Sequence, residues 1–151
     1  MIRRLKLLLQ EAFVEIEVVD ESSALQLACA SLMFEVLRAD YEIHPAELEK
    51  IGQHIRQAFD LSESDTQFLM RLANEKTEQM VSLHDVLRTI NEAYAMDEKR
   101  ELLEMLWSVA YADGELDRHE EYAIRKLADL LHIPHRDFIR TKHQAEADSG
   151  I

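Results

Sequence analysis

A chain of 151 residues with 30 Asp and Glu against 17 Lys and Arg carries a formal charge of -13, which argues against a nucleic-acid partner, because phosphate binding rests on Lys and Arg. An apolar fraction of 47% and a charged fraction of 31% suit one globular domain, and the length is too short for two to be expected. The single cysteine, Cys29, excludes an internal disulfide and a Cys-rich metal cluster. No run approaches the roughly 18 apolar residues of a membrane span.

The opening MIRRLKLLLQEAF has a basic start but no small-residue cleavage site, so a cytoplasmic protein without a signal peptide is expected. Ile2, Leu5, Leu9, Phe13 and Ile16 recur at helical spacing, which predicts an N-terminal amphipathic helix over residues 1–20 that packs on the domain. Arg3, Arg4 and Lys6 on its other side leave contact of residues 1–16 with a membrane surface as the alternative. DESS at 20–23 supplies caps for a helix to about Ala39, with a wide apolar face through Leu25, Ala28, Cys29, Leu32, Met33 and Val36. After the bend DYEIHP at 40–45, Pro45 fits the first turn of a helix that turns Leu48, Ile51, Ile55, Ala58 and Phe59 inward. Gly52 inside it costs roughly 1 kcal/mol against Ala and predicts a close helix crossing.

SESD at 62–65 predicts the start of a helix to about Lys76, and SLHD at 82–85 the start of one to about Ala93. Asp97 begins another, carrying Leu102, Leu103, Leu106, Val109 and a core Trp107. From Leu116, within ADGELD at 112–117, the inward stripe of a further helix runs through Ala123, Leu127, Leu130 and Leu131. A last helix begins near Pro134 and ends about Gln144, with residues 146–151 as a frayed tail. Sustained period-two alternation is absent, so the fold expected is all-α. It is a single-domain bundle of seven to eight helices, with residues 21–145 as its body.

Shifted by 73 residues, the chain matches itself: Ala39-Asp40-Tyr41-Glu42-Ile43 falls on Ala112-Asp113-Gly114-Glu115-Leu116, then Glu47 on Glu120 and Ile51 on Ile124. The pattern A-D-x-E-[IL]-x-x-x-E-x-x-x-I describes a duplicated helix–bend–helix unit. Two such units can bury their apolar faces on each other in a pseudo-symmetric bundle, with the acidic bends close together or on one surface. Capping explains part of the acidity. Asp117 with Glu120 three residues on reads as a capping box, and Glu47 falls in a first helical turn, where the dipole favours it by roughly 0.3–1 kcal/mol. Asp40 and Asp113 are different. Each stands at the end of a helix, beside free carbonyls, with a second carboxylate, Glu42 or Glu115, two residues on. A divalent cation would turn that repulsion into attraction. Asp40, Glu42, Glu47, Asp113, Glu115, Asp117 and Glu120 are therefore the candidate metal ligands. Their oxygens suit Ca²⁺, Mg²⁺ or Mn²⁺, and His44 and His119 leave room for Zn²⁺. The bend is not an EF-hand, because Arg118 and Ile124 stand where that loop needs Gly and a bidentate Glu.

The two units, and LWSVAYADGELDRHEEYAIRKLADLLHIP at 106–134 above all, resemble the tellurite-resistance TerB family. A similar domain precedes the J-domain of some membrane-anchored bacterial co-chaperones. The resemblance covers roughly Leu25 to Lys142. It implies an all-helical domain of about seven helices with an acidic metal-binding surface and a link to bacterial stress responses, without an established catalytic activity. Carried over, the acidic pattern falls on Asp40, Glu42 and Glu47, then on Asp113, Glu115 and Glu120. The first copy departs from it in having Tyr41 where the family commonly has Gly.

Three functions compete. The first is a metal-binding sensing or scaffolding domain. The second is a metal-free interaction module whose acidic face meets a basic protein surface, as an accessory domain of a co-chaperone would. The third is a two-metal hydrolase, for which the sequence supplies no nucleophile–base pair, phosphate loop or HExxH motif. No enzyme is expected. Tellurite reduction would need reactive thiols, and Cys29 in an apolar setting is a poor one.

Overall fold

A computed structural model of the chain describes residues 21–40, 44–78 and 83–149. The helix expected over residues 1–20 and the candidate ligand Glu42 lie outside the described residues. Among those described, the fold is all-helical: α1 (Glu21–Leu37), a 3-10 turn (Arg38–Asp40), α2 (Pro45–Phe59), α3 (Glu63–Glu78), α4 (Leu83–Ala93), α5 (Met96–Ala110), α6 (Arg118–Leu130) and α7 (His135–Ser149). They form a single bundle.

The helix α1 is central, and its sequence requires it. Ala28, Cys29, Ala30, Leu32, Met33, Phe34, Val36 and Leu37 are all buried, covering more than one face, and such a helix stays out of water only when others surround it. It contacts α2, α3, α4, α5 and α6. The second organiser is α5. Trp107, fully buried, donates from Nε1 to the Thr141 hydroxyl at 3.0 Å and packs on Phe138 with ring centroids 5.1 Å apart, which ties α5 to α7. A buried indole keeps its apolar area only if its N–H finds an acceptor, and Thr141 is that acceptor.

The SESD start follows the predicted chemistry, whereas α5 begins one residue before the expected Asp97 and is closed by an unforeseen Glu98 contact. The Ser62 hydroxyl accepts from the Asp65 N–H at 3.1 Å, and the Glu98 carboxylate accepts from the Ala95 N–H at 2.9 Å. Gly52 faces α3, where an added Cβ would stand 3.2 Å from the Met70 sulfur. The expected close crossing is there. Three further details differ from expectation. Ala58 and Leu130 are exposed, each on the outer edge of its stripe. The last helix runs to Ser149 rather than about Gln144, because Glu146 accepts the Tyr111 hydroxyl at 2.9 Å and Ala145 packs on the core, giving the extra turn something to hold. No helix among the described residues is long and apolar enough to cross a membrane.

Candidate metal centre

The two bends lead into α2 and α6, and the 3-10 turn that ends the first unit's leading helix packs on α6. That contact brings the start of α2 to the α5–α6 bend. At the first bend His44 takes the N-cap position of α2 in extended conformation, with Pro45 following. The next turn places Glu47 at the third helical position, in line with Ile51 and Ile55 one and two turns on. All three are fully buried. At the second bend Gly114 adopts φ +88, a conformation that glycine takes without steric cost. The Asp113 Oδ1 accepts from the Glu115 N–H at 3.1 Å, closing an Asx turn.

Across the junction, His44 Nδ1 lies 3.7 Å from Asp113 Oδ2, and His44 Nε2 lies 4.0 Å from Glu47 Oε1. One donor atom from each of His44, Glu47 and Asp113 falls within 4.8 Å of the others. Burying a carboxylate is costly unless opposite charge or hydrogen bonds attend it. Holding a second carboxylate within that distance adds about 3 kcal/mol of repulsion at an effective dielectric of 20. Positive charge between them, on an ion or on the imidazole, removes the conflict. One imidazole nitrogen and two carboxylates form a donor set that fits a divalent cation.

The remaining candidates separate by role. Asp40 is the last residue of the 3-10 turn, next to the bend in the chain. Glu115 is exposed. Asp117 is the N-cap of α6 and accepts from the His119 N–H at 2.7 Å. Glu120, like Glu47, stands at the third position of its helix and is 1% exposed. Among the described residues, Glu47 and Asp113 are the acidic candidates that fall in the cluster of three donors. Its third member, His44, carried no weight in the acidic pattern, since a lone histidine at a helix start reads as a surface group. The signal that could have marked it is its place: three residues before a glutamate on the buried stripe of α2.

An all-helical bundle whose two bends meet at an imidazole–carboxylate cluster defines a small domain built around a candidate cation site. The chain belongs to the family described as tellurite resistance protein TerB, whose pattern matches residues 26–143. Among solved structures it resembles a protein of unknown function from Porphyromonas gingivalis, with a TM-score of 0.60 and 15% identity over 83% of this chain and 97% of that one. That likeness is one of fold. No curated protein matches the sequence.

Proposed function

We propose that this TerB-family domain binds one divalent cation where its two bends meet, and acts as a non-enzymatic sensing or scaffolding component of a bacterial stress response. The observation that carries the reading is Glu47, fully buried yet grouped with His44 and with Asp113 from the other bend. The imidazole among the donors favours Mn²⁺ or Zn²⁺ over Ca²⁺ and Mg²⁺, which prefer oxygen alone. Asp40 and Glu42, shortly before His44, and Glu115, Asp117 and Glu120, shortly after Asp113, are the carboxylates from which the sphere would be completed. An ion held there would join the two halves of the bundle, so that its arrival alters the acidic surface a partner meets.

Calorimetric titration with Mn²⁺, Zn²⁺ and Ca²⁺ tests this reading. One equivalent binds, and at a hundredfold excess over Kd stability rises by about 2.7 kcal/mol. Glu47→Gln and Asp113→Asn each remove both effects. Absence of heat and of any thermal shift with all three ions would leave the metal-free reading. That alternative, an acidic face meeting a basic protein surface, rests on the same geometry: a protonated His44 between Asp113 and Glu47 satisfies the cluster without an ion.

A further inference from the structure

The charge of the chain is unevenly placed. Residues 118–143, spanning α6 and most of α7, hold six Lys and Arg against four Asp and Glu, and two of those acids, Glu120 and Asp137, are buried. Arg118, Arg125, Lys126 and Arg136 are exposed, and none forms an ion pair with a described residue. Arg100 and Arg140 pair with Asp137, and Lys142 with Glu121. Lys50, Arg56 and Arg71 on α2 and α3 also lack an ion pair with a described residue; what sets the α6–α7 hairpin apart is that three such cations stand around one exposed aromatic ring. Carboxylates do stand one turn away, but Glu121, beside Arg118 and Arg125, is taken by Lys142, and Asp129, beside Arg125 and Lys126, forms no ion pair with a described residue.

Arg118, Arg125 and Lys126 flank exposed apolar surface. Tyr122 is 70% exposed. Arg118 stands four residues before it, and Arg125 and Lys126 stand three and four after it, the spacings that put side chains side by side on a helix. Asp129 closes the far end of this stripe. The Lys142–Glu121 ion pair at 2.9 Å joins α7 to α6 beside the stripe, and Ile139, one turn before Lys142, is 38% exposed. An aromatic ring flanked by free cations, with an aliphatic side chain on the adjoining helix, is the composition of a binding hot spot rather than of a solvating surface.

We infer that the outer face of the α6–α7 hairpin docks an acidic segment of a partner protein, with carboxylates on Arg118, Arg125 and Lys126 and an apolar side chain over Tyr122 and Ile139. The charge of -13 opposes a polyanion such as DNA or an anionic membrane at long range. A short segment with two or three carboxylates meets the local positive charge and little of that repulsion, which salt screens beyond about 8 Å. This surface needs no ion, and only its Arg118 end, next to Asp117, borders the proposed metal centre.

The test is fluorescence anisotropy with labelled ten-residue peptides in which Asp and Glu alternate with Leu and Phe, beside the same peptides with Lys for each acid. A twenty-nucleotide single-stranded DNA and phosphatidylserine vesicles serve as competing anions. Any binding of the Lys peptides to the acidic bends is unchanged by substitutions on this face, whereas the acidic peptides bind here. Affinity falls at least tenfold in Tyr122→Ala and in Arg118→Glu with Arg125→Glu, while circular dichroism is unchanged because these side chains are exposed. Ile139→Ser gives a smaller loss. Absence of acidic-peptide binding, equal binding by the charge-reversed variant, or tighter binding to DNA or vesicles would each overturn the inference. So would a dimer in sedimentation that Tyr122→Ala dissolves, since the face would then belong to a second copy.

Discussion

Cys29 shows how placement decides chemistry at the level of one side chain. It is 2% exposed in the face of α1, and its thiol donates to the Tyr94 hydroxyl at 3.6 Å. Burial pushes the thiol from its ordinary 9.0 up to about 12. The thiolate is the reactive form, so this sulfur is shielded both by access and by protonation. In the native protein at pH 8, Ellman's reagent should leave Cys29 unmodified until denaturant is added. The same shift fixes a pH dependence. Above pH 9 the unfolded chain releases the thiol proton and the folded chain keeps it, so stability falls as pH rises from about 9 towards 12. Tyr94 and Tyr111, also raised by burial, act in the same direction. Rapid labelling of the folded protein at pH 8 would contradict this account and reopen a redox role for Cys29.

At the scale of elements, the start of α6 divides the two uses of acidic residues. Asp117 caps the helix through the His119 N–H, and Asp117→Ala should lower stability by about 1 kcal/mol in denaturant titrations without any ion. A loss below the error of the measurement would mean that the cap contributes nothing. Much of this level was legible in the sequence. The helix order, the Ser62 cap, the Gly52 crossing and the core position of Trp107 follow from local spacing and turn chemistry, which act within a few residues. What escaped depends on partners far along the chain. The last helix extends to Ser149 because Glu146 meets Tyr111, a contact across 35 positions. The burial of Glu47 and Glu120 was readable in principle, since each lies four residues before a buried isoleucine, Ile51 or Ile124. An acidic residue in a first helical turn has so ready an explanation as a dipole partner that its inward direction is easily passed over. The sequence shows His44 only as a candidate Zn²⁺ ligand, because its neighbour Asp113 belongs to the other bend.

For the molecule as a whole, the sequence pattern sets an acidic bend before α2 and another before α6, and packing around α1 brings His44 and Glu47 at the head of α2 beside Asp113 of the second bend. Charge is uneven as well: Asp113, Glu115 and Asp117 follow one another at the second bend, and the exposed Arg118, Arg125, Lys126 and Arg136 lie on α6 and α7 outside any ion pair with a described residue. The central claim is that the junction holds an ion, and crystals grown with Mn²⁺ test it most directly through anomalous scattering. The account predicts one strong peak bonded to a His44 nitrogen and to carboxylate oxygens of Glu47 and Asp113, absent in Glu47→Gln crystals. A map without a peak at the junction, or with Mn²⁺ only at exposed acids elsewhere, would contradict it.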